Sequence, residues 1–125
     1  EHEKERYRIA LDSSSDVIFE YDLLNDSYIA YGSFGKYAHP KTTPILTKGF
    51  LNQLKEGKIC HKDFVERYIK FITGENTEPI EVREKFSEEG KVEYIWVAME
   101  GTSIYDNGIL VKIIGKKIRK KKRQL

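Results

Sequence analysis

The sequence predicts an α+β fold in which antiparallel strands flank a helical middle, and three observations predict it. Residues Glu78 to Ile118 read as three consecutive strands joined by turns at Glu88-Glu89-Gly90-Lys91 and Asp106-Asn107-Gly108. Asn and Gly accept the positive φ that such turns need, so Asp-Asn-Gly between apolar alternations is a strong hairpin signal. Residues Thr47 to Thr73 carry helical periodicity, and Val17 to Tyr31 reads as a hairpin. The expectation is five antiparallel strands with the helices inserted after the second.

Taken in order, Lys4 to Leu11 reads as a short helix, with Tyr7, Ala10 and Leu11 at i, i+3 and i+4. Asp12-Ser-Ser-Ser-Asp16 breaks it. Val17 to Asp22 alternates as a strand, Asn25-Asp26 turns the chain, and Ser27 to Tyr31 returns, favoured by β-branched and aromatic side chains. From Gly32 to Thr47, Gly32, Gly35, Pro40 and Pro44 forbid a long helix. Thr47 to Lys55 has Phe50, Leu51 and Leu54 on one stripe, and Gly57 ends it. His61 to Thr73 is a second helix, with Phe64, Val65, Tyr68, Ile69 and Ile72 at amphipathic spacing, Asp63 in its first turn and Gly74 after it. Three strands follow: Glu78 to Phe86, Val92 to Ile104 and Ile109 to Ile118.

The chain has 125 residues, the size of one domain, and its 39% hydrophobic content supplies a core. Cys60 is the single cysteine, so no internal disulfide forms, and no Cys/His set has zinc spacing. This fits a reducing compartment, and the localisation expected is cytoplasmic. No apolar run reaches the length of a membrane span, and no signal peptide opens the chain. Both ends read as cut from something longer. The formal net charge is +2, with 22 basic and 20 acidic side chains. Lys116, Lys117, Arg119, Lys120, Lys121, Lys122 and Arg123 are seven of the basic ones, so the rest of the chain has 15 against 20, a net charge of −5. The basic tail reads as a solvated linker, and no nucleic-acid partner is expected. The competing reading, a nucleic-acid binder, needs that tail and a steep salt dependence.

The ordered set of motifs resembles the PAS family of sensory domains, in the subfamily with a Trp in the fourth strand. Glu5-Arg6-Tyr7-Arg8-Ile9-Ala10-Leu11 followed by Asp16-Val17-Ile18-Phe19-Glu20-Tyr21-Asp22 is similar to the opening of such domains. His61-x-Asp63 is similar to the start of their last helix. Gly90, Tyr94-Ile95-Trp96-Val97, Gly101, Asp106-Asn107-Gly108 and Ile114-Gly115 match their closing meander. Three features depart from the pattern. The stretch from Gly90 to Trp96 is longer than usual, Lys62 stands where proline is common, and Arg119-Lys120-Lys121 replaces an Asp-Ile-Thr exit motif.

The resemblance implies a sheet in the order 2-1-5-4-3 with the helices over one face. It also implies three segments: an N-terminal helix and cap over 1–15, the sensory domain over 16–118, and a basic linker over 119–125. The function implied is a bacterial sensory module that binds a small ligand between helices and sheet and regulates a fused output domain. The outputs implied are a diguanylate cyclase acting in cyclic-di-GMP signalling, a phosphodiesterase or a histidine kinase of a two-component system. The alternative is a ligand-free module for dimerisation and signal relay. Which ligand, if any, is left open. Flavin is not expected, since Lys58-Ile59-Cys60-His61 lacks the Asn-Cys-Arg context of flavin photosensors. Haem is not expected, since His61 and His39 are badly placed for an axial ligand. No metal is expected.

Alternation along strands predicts which side chains line the interior. Ile95, Val97, Met99 and Gly101 share one face of the fourth strand; Tyr94, Trp96, Ala98, Glu100 and Thr102 share the other. Ile109, Val111, Ile113 and Gly115 should face the helices from the fifth strand, and Ile80, Val82, Glu84 and Phe86 form one face of the third. The candidate pocket is Phe19, Tyr21, Phe64, Tyr68, Val82, Glu84, Val97, Met99, Val111 and Ile113. Glu84 is the odd member: it reads either as a polar ligand contact or as a strand-end residue reaching water. Met99 and Gly101 read either as room for a ligand or as ordinary core. Tyr7, Leu11, Tyr94 and Trp96 are the candidate interface, for the N-terminal helix, for a second copy in a homodimer, or for both. No Ser/His/Asp set or phosphate loop is present. A small isomerase-like α+β enzyme would have only Glu84 as its acid or base, so no enzymatic activity is expected of this chain.

Overall fold

A computed structural model describes residues 17–34, 37–38, 45–88 and 90–120. Strands β1 (Val17–Asp22) and β2 (Ser27–Phe34) form the first hairpin, followed by two short strands, β3 (Tyr37–Ala38) and β4 (Ile45–Lys48). Helix α1 (Phe50–Lys55), a 3₁₀ turn (Lys62–Phe64) and helix α2 (Val65–Ile72) come next. The chain closes with β5 (Ile80–Glu88), β6 (Lys91–Asp106) and β7 (Ile109–Lys120). Hydrogen-bonded neighbours run β3-β2-β1-β7-β6-β5, and β4 also pairs β2. Counting only the five expected strands, the neighbours run second, first, fifth, fourth, third. The proposed N-terminal helix, with Tyr7 and Leu11, lies outside the described residues.

Several boundaries differ from the sequence reading. Thr47 and Lys48, expected to open a helix, instead end β4 on the edge of β2, because Ile45, Leu46 and Thr47 are β-tolerant and Gly49 at φ 67° stops the strand. The predicted helix over 61–73 opens as a 3₁₀ turn, and its α-helical part starts at Val65. Strand β7 runs on to Lys120, into the segment read as a linker.

The first turn anchors the first helix. Asp26 has φ 49°. Its carbonyl accepts from Gly49 N at 2.9 Å, and its carboxylate Oδ1 accepts from Leu51 N at 3.0 Å and from the Tyr21 hydroxyl at 2.6 Å. Gly49 has no side chain to cap α1, so a residue from the distant turn satisfies the exposed donors of the first helical turn. Helix α2 buries Tyr68, Phe71 and Ile72 on one stripe, and Gly74 at φ 82° ends it.

The core lies between these helices and one face of the sheet. It contains Val17, Phe19 and Tyr21 from β1, Tyr28 and Ala30 from β2, Phe50 and Leu54 from α1, and Val82, Ile95, Val97, Met99 and Ile113 from the last three strands. Val111 breaks the predicted alternation of β7. Ile104 pairs Lys112 while Tyr105 pairs Leu110, so Val111 is the extra residue of a β-bulge. Beyond the bulge the faces exchange. Leu110 packs against the core, whereas Ile109, expected inside, is 62% exposed.

Replacing Asp26 with alanine removes the cap on Leu51 N and leaves the Tyr21 hydroxyl without its acceptor. Such losses cost about 1–2 kcal/mol. Denaturant unfolding of Asp26→Ala should show a lowered midpoint with an unchanged m-value, and an unchanged midpoint would contradict the capping role.

Candidate functional site

Alternation on β5 puts Glu84 on the core face between Val82 and Phe86, and alternation on β7 puts Lys117 on the core face beyond Ile113 and Gly115. Strand β6 lies between them, with Ile95 opposite Glu84 and Met99 opposite Lys117. The two side chains converge over that strand. Lys117 Nζ donates to Glu84 Oε2 at 2.6 Å, and the two side chains are only 6% and 7% exposed. The Tyr68 hydroxyl, from α2, donates to the same oxygen at 2.7 Å.

Aromatic rings close the rest of the shell. The ammonium lies 4.7 Å from the centroid of Tyr28, 5.6 Å from that of Tyr68 and 5.7 Å from that of Phe19. Each distance is within the range in which a cation is attracted to a ring. Tyr28 stacks with Phe19, at 5.7 Å, and with Phe50, at 4.1 Å. Its hydroxyl is buried beside Lys117 and Tyr68 but makes no hydrogen bond of good geometry with either.

Burial and charge set the protonation states. Burial by itself would lower the Lys117 pKa, but the attraction of the Glu84 carboxylate outweighs it and the net direction is upward. Tyr68 is raised well above its ordinary value by burial and then by the Glu84 charge. Burial raises Tyr28 as well. Cys60, whose backbone bridges Glu84 on the free edge of β5, has its thiol pushed up to about 12, first by burial and then by Glu84. Such a thiol is a poor nucleophile near neutral pH.

The candidate pocket residues meet different fates. Phe19, Tyr21, Tyr68, Val82, Glu84, Val97, Met99 and Ile113 are all buried in the interior. Val111 is half-buried at the bulge. For Glu84 the structure corrects one of the two readings, the strand-end residue reaching water. Its carboxylate is buried, and Lys117 and Tyr68 already occupy it. The space over Gly101 is filled too: a side-chain carbon there would meet Ile113 and Phe71. Phe64 packs partly against the core, while its ring meets Trp96 at 5.3 Å and His61 at 6.1 Å, around the edge of β5. Residues Ile59 to His61 make this possible. They pair with β5 through His61 N to Arg83 O and Lys85 N to Ile59 O, both 2.9 Å, and carry the chain around the sheet edge.

The candidate interface residues Tyr94 and Trp96 are half-buried on the other face of β6. The Arg83 guanidinium lies 5.4 Å from the Tyr94 ring and 5.8 Å from the Trp96 ring. Phe64 and Arg83 are therefore neighbours of this stripe within the same chain.

Two residues of the cluster, Tyr28 and Lys117, lie outside the pocket expected from the sequence. Lys117 reads as part of the basic tail, although the alternation that places Ile113 and Gly115 inside extends to it. The signal was a lysine in phase with a buried strand face, opposite a glutamate in phase with another.

No family model matches the chain, and no curated protein matches its sequence. A solved structure described as a sensory box histidine kinase/response regulator from Burkholderia thailandensis E264 is similar in fold, with a TM-score of 0.64. The match covers 93% of this chain and 85% of that one at 14% sequence identity. The two chains share a fold, and this supports the PAS-like architecture expected from the sequence. No helix among the described residues is long and apolar enough to cross a membrane.

Two measurements test the cluster. Removing one partner of a buried ion pair strands the other charge and costs about 3–5 kcal/mol, whereas replacing both with apolar groups is often close to neutral. Glu84→Leu and Lys117→Met should each be strongly destabilised in denaturant unfolding, with the double variant more stable than either. Additive losses would show that the two groups are not coupled. The second measurement is pH dependence. Cys60, Tyr21, Tyr28, Tyr68 and Lys117 all hold their protons more tightly in the folded chain. Their contribution to stability is complete below the ordinary thiol value of 9.0 and is lost as pH rises through the folded values. The melting temperature should fall steeply above pH ~9, and Cys60 should resist alkylation at pH ~8 until the chain unfolds. Rapid alkylation of the native protein would contradict the buried placement of Cys60.

Proposed function

We propose that this chain is a sensory and signal-transduction module that responds to a small ligand held between helices and sheet. Its output is a domain joined to it in the full-length protein: a diguanylate cyclase, a phosphodiesterase or a histidine kinase. The observation that carries the reading is the charged, ring-lined cluster of Glu84, Lys117, Tyr68 and Tyr28 at the centre of a fold shared with a sensory box chain. Buried polar groups of this kind fix the orientation of ligands in otherwise apolar sites. The cluster also joins an edge strand, a helix and the final strand, so a change at its centre is felt where the chain leaves the sheet. On this reading the module acts by binding and relay, without a reaction of its own. It acts in the cytoplasm of a bacterium as a homodimer, through the stripe that contains Tyr94 and Trp96.

One observation favours a second reading, a ligand-free module for dimerisation and relay. Phe19, Tyr28, Phe50 and Tyr68 pack ring against ring across the interior where a ligand would lie. Native mass spectrometry of the freshly purified chain and a melting screen across a metabolite library separate the two. A retained small molecule, or a saturable rise in melting temperature that Tyr28→Phe or Tyr68→Phe weakens, is the expected result. No retained mass and no shift from any compound would leave the relay reading in its place.

A further inference from the structure

Every group around the Lys117 ammonium except the lysine itself is short, stiff or both. The Glu84 carboxylate stands on a two-carbon stem from β5. Tyr68 is held in α2, Tyr28 stacks with Phe19 and with Phe50, and Phe19 is 1% exposed. Together these groups offer one carboxylate oxygen and three ring faces, a combination suited to a cation. Lys117 is the one long, flexible member, four carbons from its backbone. It also stands close to water. Arg119, two residues on and on the same face of β7, is exposed, a step of about 6–7 Å along a strand. A lysine stem can cover that distance, so the ammonium can leave the interior while its backbone stays paired with Val17 and Met99.

We propose that Glu84, Tyr68, Tyr28 and Phe19 form a seat for a small alkylammonium ligand, which the chain's own Lys117 occupies until a ligand displaces it. Lys117 is then an internal competitor. The ligand amine takes over the bond to Glu84 and the ring faces, and the displaced lysine turns to water near the end of β7. Charge is conserved in the interior, because one ammonium replaces another. The Tyr68 hydroxyl keeps its bond to Glu84 throughout. An anionic ligand has no such route, since it would have to expel Glu84 while that oxygen still holds the Tyr68 hydroxyl. This inference rests on the ligand-sensing reading and names its ligand class.

The test titrates the wild-type protein with n-butylammonium chloride, a copy of the lysine side chain, against sodium chloride at equal ionic strength. Melting temperature and the ring-proton resonances of Tyr28 and Phe19 are followed. Saturable shifts in both are expected. Lys117→Ala should bind at least about tenfold more tightly, because the seat is no longer filled from within, and Glu84→Gln should lose the saturable response. If Lys117→Ala is unfolded alone, its refolding by the amine counts as binding; if it stays unfolded at every concentration, the wild-type and Glu84→Gln titrations decide. Absence of saturable shifts in the wild type overturns the proposal. So does binding that Glu84→Gln leaves unchanged, and so does binding by Lys117→Ala alone, which would mean that the internal lysine never yields its place. A non-amine compound from the metabolite screen that saturates, when butylammonium does not, overturns the amine seat and leaves the sensory reading standing. If no compound saturates, the sensory reading fails with it.

Discussion

The contact between Lys117 and Glu84 constrains most of what surrounds it. Two opposite charges in a nearly dry interior attract strongly, yet taking them out of water costs several kcal/mol per ion unless their remaining hydrogen-bonding capacity is met. The fold meets that demand from three directions. Tyr68 supplies a donor from α2, three rings supply their faces, and the backbone of Cys60 closes the edge of β5 beside Glu84. If α2 moved away, the carboxylate would lose a partner at the moment water reached it. The pair itself ties β5 to β7, and the helix is tied to it through the Tyr68 hydroxyl.

A second constraint lies in the sheet beneath the rings. Gly101 and Gly115 face each other across β6 and β7, and Phe19 lies opposite Gly115 on β1. A side chain at Gly115 would collide with the Glu100 carbonyl and the Phe19 ring. The absence of side chains lets Phe19 lie low over the sheet, where its ring is stacked with Tyr28 and tilted against Phe71. That placement brings Phe19 within reach of the Lys117 ammonium. The glycines thus shape the aromatic shell by leaving room beneath it, and the β-bulge at Val111 ends the regular alternation of β7.

Much of this was legible in the sequence because strand alternation is a strict physical rule. It placed Val82, Ile95, Val97, Met99 and Ile113 in the interior, and it singled out Glu84 as a charge in an apolar phase. It failed where something local broke the alternation. No single-strand pattern reveals the extra residue at Val111, so Ile109 was assigned to the wrong face. The partner of Glu84 was hidden for another reason. A run of lysines and arginines invites reading as one solvated block, although Lys117 belongs to the strand and only its neighbours Lys116 and Lys120 look outward. The wrap of Phe64 onto Trp96 was beyond reach, since it depends on how Ile59 to His61 dock on the edge of β5, a pairing between segments with no mutual signature.

That wrap gives the two faces of the sheet a common mechanical element. The same short stretch, from Cys60 to Tyr68, bridges Glu84 by its backbone, places Phe64 against Trp96 on one side and inserts Tyr68 beside Lys117 on the other. Phe64 ends the 3₁₀ turn and immediately precedes α2, and only three residues separate it from Tyr68. Tyr68 reaches Glu84 from the first turn and a half of α2, while Phe64, just before that helix begins, meets Trp96, whose ring also lies near the Arg83 guanidinium. Neighbouring residues at one sheet edge therefore contact both the interior cluster and the opposite face, which is why a single short stretch, 60–68, borders every polar or aromatic feature on that edge.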